Sequence, residues 1–261
     1  MSGAASADRA FDAYIICATP RTGSTLLCDL LTATGRVGAP DSFFGRRFIS
    51  WWAGQWGLPS VEELGEPAFS RTYLDAAIRA GRGGTKVFGL RLMRENISDL
   101  NRFIEQVHQG IQTDLARIEA AFGKVLFVYL SRDDKLAQAV SLVKAEQTGL
   151  WHIAPDGTEV ERLGPSGEPA YDFQRLRRKV AELETHDAAW NPWFEEQGIE
   201  PLRIGYEALS ADPAAGLGAI CNALGIVAPR ADEVRPGVAK LADAVSRDWI
   251  DRYRRDIGAL R

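Results

Sequence analysis

Apolar residues fall along this chain in runs of two kinds. Tyr14-Ile15-Ile16-Cys17-Ala18 and Lys124-Val125-Leu126-Phe127-Val128-Tyr129-Leu130 are short, continuous and partly β-branched, which suits strands buried on both faces of a parallel sheet. Lys86 to Leu92 and Pro201 to Tyr206 read as two further short strands. Between these runs apolar residues recur at helical spacing. Leu26, Leu27, Leu30 and Leu31 do so up to Gly35, and Ser70 to Ala80 forms a short helix. Leu100, Phe103, Ile104 and Val107 make another, and Leu115, Ile118 and Phe122 follow a Thr113 cap. Leu136, Val140 and Val143 share a face, Tyr171 to Gln197 reads as a long helix broken near Asn191-Pro192, and Asp212-Pro213 opens a helix ending at Gly225. Strands alternating with helices predict an α/β fold of three layers, a central mostly parallel sheet flanked by helices.

Two stretches break the periodicity. Arg36 to Gly57 is rich in Gly, Pro and aromatic residues, including Trp51, Trp52 and Trp56, and reads as a loop region that packs over the core or lines a pocket. Gly149 to Pro169 is rich in Gly and Pro, so residues 149–170 are expected to form a mobile loop or lid. At 261 residues and 46% hydrophobic content the chain is expected to form a single domain over 1–261, with 1–12 disordered and carrying no signal peptide. No window approaches the roughly 20 apolar residues that span a bilayer. A net charge of −4 offers no global field for nucleic acid, and three cysteines without paired spacing suit a reducing, cytoplasmic compartment.

Local chemistry concentrates at two strand ends. The first strand stops at Thr19-Pro20 and is followed by Arg21-Thr22-Gly23-Ser24-Thr25. Gly23 lets backbone approach a ligand, Ser24 or Thr25 is placed to cap the next helix, and the unpaired N–H groups of its first turn favour an anion that Arg21 can grip. The nucleoside-triphosphate loop is excluded, because its leading Gly and its Gly-Lys pair are missing. A Cys-x5-Arg phosphatase cradle fails because Arg21 lies too near Cys17. The second strand ends in Ser131-Arg132, where a Walker-type kinase places an acidic residue for Mg²⁺. Asp133 and Asp134 leave the kinase alternative open, but they serve more simply as N-terminal charges of a helix carrying Ser141 and Lys144.

These motifs resemble the PAPS-dependent sulfotransferases, in the bacterial branch that includes the mycobacterial trehalose sulfotransferase. That resemblance runs from Tyr14 to about Arg255. It implies that Arg21, Thr22, Gly23, Ser24 and Thr25 hold the 5′-phosphosulfate of 3′-phosphoadenosine-5′-phosphosulfate (PAPS), and that Arg132 and Ser141 grip the 3′-phosphate. It further implies that Tyr206 lies near the adenine and that Ser246 and Arg247 close over the 3′-phosphate. Transfer would be in-line and metal-independent, with Arg21 catalytic, and a homodimer is expected. Relatives carry Glu-Pro-x-Glu-Phe-Phe after the first helix, whereas this chain has Ala39-Pro40-Asp41-Ser42-Phe43-Phe44. Asp41 is then the nearest carboxylate to act as base, and the acceptor is expected to be a hydroxyl of a glycan or glycolipid. His152, next to Trp151, is a candidate acceptor contact. A nucleotide-dependent kinase and a non-catalytic phosphonucleotide-binding protein stand as the alternatives.

Overall fold

The computed structural model describes residues 10–259 apart from 165, 236 and 240. In chain order it contains β1 (Ala13–Ala18), α1 (Ser24–Ala33), α2 (Arg46–Gln55), α3 (Val61–Leu64), α4 (Glu66–Arg82), β2 (Phe88–Met93), α5 (Ile97–Val107), α6 (Asp114–Phe122) and β3 (Val125–Ser131). There follow α7 (Lys135–Thr148), β4 (Leu150–Ile153), β5 (Glu159–Arg162), α8 (Phe173–Ala188), α9 (Trp190–Gln197), β6 (Leu202–Gly205), α10 (Tyr206–Ala211), α11 (Pro213–Ala223) and α12 (Ala244–Gly258). The main sheet has the order β2-β1-β3-β6 and every pairing in it is parallel. The three-layer architecture expected from the strand and helix alternation is the one observed.

β1 is the centre of the sheet, and all six of its residues are fully buried. Its side chains alternate between two cores. Ala13, Ile15 and Cys17 pack with Phe43, Phe44, Tyr73, Phe88, Phe103 and Phe122 on one face. Tyr14, Ile16 and Ala18 pack with Leu27, Leu31, Leu217 and Ile220 of α1 and α11 on the other. A third cluster joins Val140 and Val143 of α7 to Leu176 and Leu183 of α8 and Trp249 of α12. The register leaves little slack. Gly89 on β2 lies opposite Tyr14, and a Cβ there would meet the Tyr14 hydroxyl at 2.5 Å.

Two sequence expectations need correction. The Arg36–Gly57 stretch is not all loop, since α2 occupies its second half. Ile49, Trp52, Ala53 and Trp56 recur at helical spacing there and pack on the aromatic core, while Trp51 faces outward at 55% exposure. Nor is the Gly149–Pro169 segment without regular structure. Short runs on both sides of an Asp156-Gly157 turn pair as the antiparallel hairpin β4–β5, with His152 directly opposite Glu161. The long helix over Tyr171–Gln197 is two helices divided at Ala189, with Pro192 in the first turn of the second, where a missing N–H costs nothing. Residues 1–9, most of the expected disordered segment, lie outside the described residues. Asp12 is held by the Lys124 backbone N–H, which donates to its carboxylate at 2.9 Å. Among the described residues no helix is long and apolar enough to cross a membrane.

Candidate active site

β1 and β3 are neighbours at the point where the strand order reverses, the place where open α/β sheets gather ligands beyond their carboxyl ends. Both chain segments leaving those ends carry arginine. After β1 the Thr22 hydroxyl donates to the Thr19 carbonyl at 2.9 Å and closes a tight turn. Within it Arg21 adopts φ 65°, the left-handed conformation that no other non-glycine residue among those described shares. Such a conformation costs about 1–2 kcal/mol for a residue with a Cβ and concentrates at functional sites.

Gly23 follows at φ 81° and is the N-cap of α1. A Cβ on Gly23 would lie 2.5 Å from the Tyr206 ring, so loop and ring close on one another only because the position is glycine. The expectation that Ser24 or Thr25 caps this helix is thereby corrected. Ser24 is the first helical residue, no side chain caps the helix, and helical bonding starts with Leu27 N donating to the Gly23 carbonyl at 3.1 Å. Uncapped first-turn N–H groups and the helix dipole favour an anion.

Arg21, Arg132, Ser141 and Tyr206, expected to share one site, do meet. Arg132 Nη1 donates to the Arg21 carbonyl at 3.1 Å, and Arg21 Nε donates to Ser141 Oγ at 3.0 Å. The Arg132 guanidinium lies 4.5 Å over the ring of Tyr206, which stands at the start of α10 just beyond β6 rather than at a strand end. Among the described residues Arg132 Nε is buried without a hydrogen-bond partner. Burial, then the charge of Arg132, pulls Arg21 down to about 10, which leaves it protonated at neutral pH. An unpaired, buried Arg132 N–H close enough to Arg21 for the two charges to interact favours a negatively charged partner.

A rigid frame supports it. Gln138, fully buried on α7, donates from Nε2 to Thr19 Oγ1 at 3.0 Å and to the Pro20 carbonyl at 2.6 Å. Lys135 Nζ bonds the Arg132 carbonyl and pairs with Asp187 at 2.6 Å, while Tyr129 donates to the same carboxylate. Sequence reasoning passed over Gln138, although a polar residue among the core-facing positions of a helix was a usable signal. Ser246 is buried beside the same helix, accepting from Lys144 Nζ at 2.9 Å. Arg247 is exposed on α12, and its side chain makes no hydrogen bond or ion pair among the described residues.

A second group of side chains adjoins the loop at Thr25. Asp41 pairs with β2 through its backbone, and its Oδ1 accepts from Arg91 Nη2 at 2.9 Å and from Ser42 N at 2.6 Å. Arg91 also donates from Nε to Ser42 Oγ and from Nη1 to Thr25 Oγ1, both at 2.8 Å. Burial pushes Arg91 down, but Cys28 and the carboxylates of Asp41, Glu161 and Asp29 hold it above its ordinary value. The hairpin closes the group: the Trp151 carbonyl accepts from Arg21 Nη1 at 2.8 Å, and His152 Nε2 lies 3.1 Å from Thr25 Oγ1 and 3.4 Å from Glu161 Oε2. Burial, Arg21 and Arg91 push His152 down to about 3, so its imidazole is neutral at physiological pH. Arg91 and Glu161 escaped sequence reasoning. The lone charged side chain inside the buried Val87–Leu92 run was the available sign for Arg91, and nothing local marked Glu161.

A model of the Stf0 sulphotransferase family matches residues 13–256 of this chain. The trehalose 2-sulfotransferase of Mycobacterium tuberculosis is 29% identical over 270 residues, covering 97% of this chain and 98% of that protein. The trehalose 2-sulfotransferase of Mycolicibacterium smegmatis is 28% identical over 264 residues, covering 94% and 95%. The crystal structure of a sulfotransferase from Alicyclobacillus acidocaldarius aligns with a TM-score of 0.43 at 12% identity, over 94% of this chain and 92% of its own.

Proposed function

Because the chain belongs to the Stf0 sulphotransferase family and is a sulfotransferase, we propose that it moves a sulfuryl group from PAPS to a hydroxyl of a carbohydrate, as a glycan or glycolipid. The single observation that carries this reading is the pairing of Arg21 and Arg132 at the β1/β3 reversal point, with Arg132 Nε buried and unsatisfied. PAPS supplies a sulfuryl group attached to a stable bisphosphate leaving group. Arg21 and the first-turn N–H groups of α1, with the Thr22, Ser24 and Thr25 side chains around them, are assigned its 5′ end. Arg132 and Ser141 are assigned the 3′-phosphate, with Tyr206 at the adenine and Ser246 at the border.

Negative charge grows on the leaving phosphate oxygen during transfer, so donors fixed beforehand lower the barrier, by about 2.7–4 kcal/mol for a well-placed one. Cationic side chains here take the part that Mg²⁺ plays in phosphoryl transfer. The carbohydrate acceptor rests on the relatives' names and on the polar group around Asp41. One oxygen of that carboxylate is engaged by Arg91 and Ser42, and the side chain stays 44% exposed, which suits contact with a sugar hydroxyl. The same reading includes a cytoplasmic homodimer, supported by the outward-facing Trp51 and Phe48 of α2. Light scattering that finds only monomer would remove the dimer.

The direct test incubates the protein with sulfur-labelled PAPS, a chelator and a panel of sugars beginning with trehalose. A labelled sulfated sugar is expected. Nucleotide binding with no transfer to any hydroxyl would indicate a binding protein, and Mg²⁺-dependent transfer from ATP would indicate a kinase.

A further inference from the structure

Asp41, the carboxylate after the first helix, is tied to Arg91 and Ser42 through one carboxylate oxygen. A proton must nevertheless leave the acceptor hydroxyl. The hairpin β4–β5 brings a second candidate to the same place. His152 is half-buried with its side chain 17% exposed, and Nε2 points at the Thr25 hydroxyl at 3.1 Å. That hydroxyl already accepts from Arg91 Nη1, so its own proton is free to go to Nε2 and to keep the imidazole lone pair aimed at the anion loop. Directly across the hairpin, Glu161 Oε2 stands 3.4 Å from the same nitrogen, close enough to pair with the ring once it is protonated.

Resting on the sulfotransferase reading above, we propose that His152 Nε2 is the proton acceptor for the hydroxyl that is sulfated, with Glu161 as the carboxylate that stabilises the resulting imidazolium. The acceptor hydroxyl takes the place of the Thr25 proton at the Nε2 lone pair, its O–H bond breaks and its proton goes to Nε2, while Thr25 Oγ1 keeps its bond from Arg91. The oxygen–sulfur bond forms as the bond from sulfur to the 5′-phosphate oxygen breaks, and that electron pair leaves with adenosine 3′,5′-bisphosphate. Asp41 then binds the acceptor without receiving its proton.

The electrostatics agree with this division. The groups facing His152 are Arg21 from the loop, Arg91 from β2 and Glu161 from β5, with Asp41 and Asp29 around Arg91. Both arginines disfavour the imidazolium, which keeps the ring unprotonated and ready at neutral pH. An anion bound on the loop offsets those two charges, so the ring becomes a stronger base only when the site is loaded.

The chain has three histidines, so each is separable by NMR with His152→Gln as the assignment control. In the free protein the His152 ring is expected to stay neutral down to pH 5, and saturating adenosine 3′,5′-bisphosphate should raise its apparent pKa by at least about one unit. A ring whose titration is unmoved by nucleotide overturns the proposal. In the labelled-PAPS assay, His152→Gln should lower turnover about 10²-fold or more, while affinity for adenosine 3′,5′-bisphosphate stays within about threefold of wild type. Glu161→Gln should give a smaller loss that steepens toward low pH. Unchanged turnover in His152→Gln, or turnover and nucleotide affinity falling in parallel, would each overturn the assignment while leaving the sulfotransferase reading intact. A wild-type protein that binds no adenosine 3′,5′-bisphosphate defeats both.

Discussion

The loop from Arg21 to Thr25 and the polar group around Arg91 adjoin at one hydroxyl, that of Thr25, yet they are built in different ways. The loop is local. Its position follows from a buried strand, a tight turn and a helix N-terminus in direct succession, and only Arg132, Ser141 and Tyr206 come from elsewhere. The Arg91 group is assembled from β2, the segment after α1, and a hairpin more than a hundred residues after that segment. A contiguous strand–turn–helix, braced by α7 and Arg132, sets the first; packing between distant segments sets the second.

The largest expected effects lie at the two arginines. Arg21→Ala and Arg132→Ala should each lower affinity for adenosine 3′,5′-bisphosphate by about 10²-fold, the loss of a charge-assisted donor worth about 2–3 kcal/mol. Calorimetric titration checks it, and an unchanged affinity in either variant removes that arginine from the donor site. Gly23→Ala tests whether the loop's shape matters apart from its charge. The added Cβ meets the Tyr206 ring at 2.5 Å and a φ of 81° that it tolerates poorly. A stability loss of about 1–2 kcal/mol is expected in chemical denaturation, together with weaker nucleotide binding. A variant that binds and unfolds like wild type would show that the loop is not held in this form.

On the other side, Asp41→Asn should raise the sugar KM several-fold, lower kcat less, and leave nucleotide affinity unchanged. An equal fall in kcat and kcat/KM would give Asp41 the proton after all. The smallest effect concerns Asp29, one helical turn beyond Thr25. Burial raises its carboxyl to about 6, with Asp41 adding to the rise and Arg91 opposing it. The folded pKa lies above the unfolded one, so the native state binds the extra proton and stability falls as pH rises from about 4 through 6. Asp29→Asn should flatten that part of the stability–pH curve, and an unaltered slope would show that the carboxyl titrates normally.

Much of the architecture was legible along the chain because β1 and β3 are continuous apolar runs, a pattern that few other structures satisfy. The same reasoning erred at α2. Three tryptophans and nearby glycines obscured a helical spacing at Ile49, Trp52, Ala53 and Trp56 that was present in the sequence. It erred again at β4–β5, where each strand has only four residues and the pairing between them, not their composition, makes them strands. Among the proposed site residues, Arg21 and Arg132 stand out along the chain because each follows a strand tip, whereas Ser141 enters only through the family resemblance. Arg91, His152 and Glu161 could not be grouped, since no spacing in the sequence brings a sheet strand and a distant hairpin to Thr25.

The proposed function requires Arg21 and Arg132 to hold opposite ends of one doubly phosphorylated nucleotide. Calorimetric titration of adenosine 3′,5′-bisphosphate into the wild-type protein, in chelator, and of ATP with and without Mg²⁺, tests this most directly. Tight one-to-one binding of the bisphosphate that survives chelator and exceeds that of ATP is the predicted result. Absent binding of the bisphosphate, or preference for Mg²⁺-ATP, would contradict it.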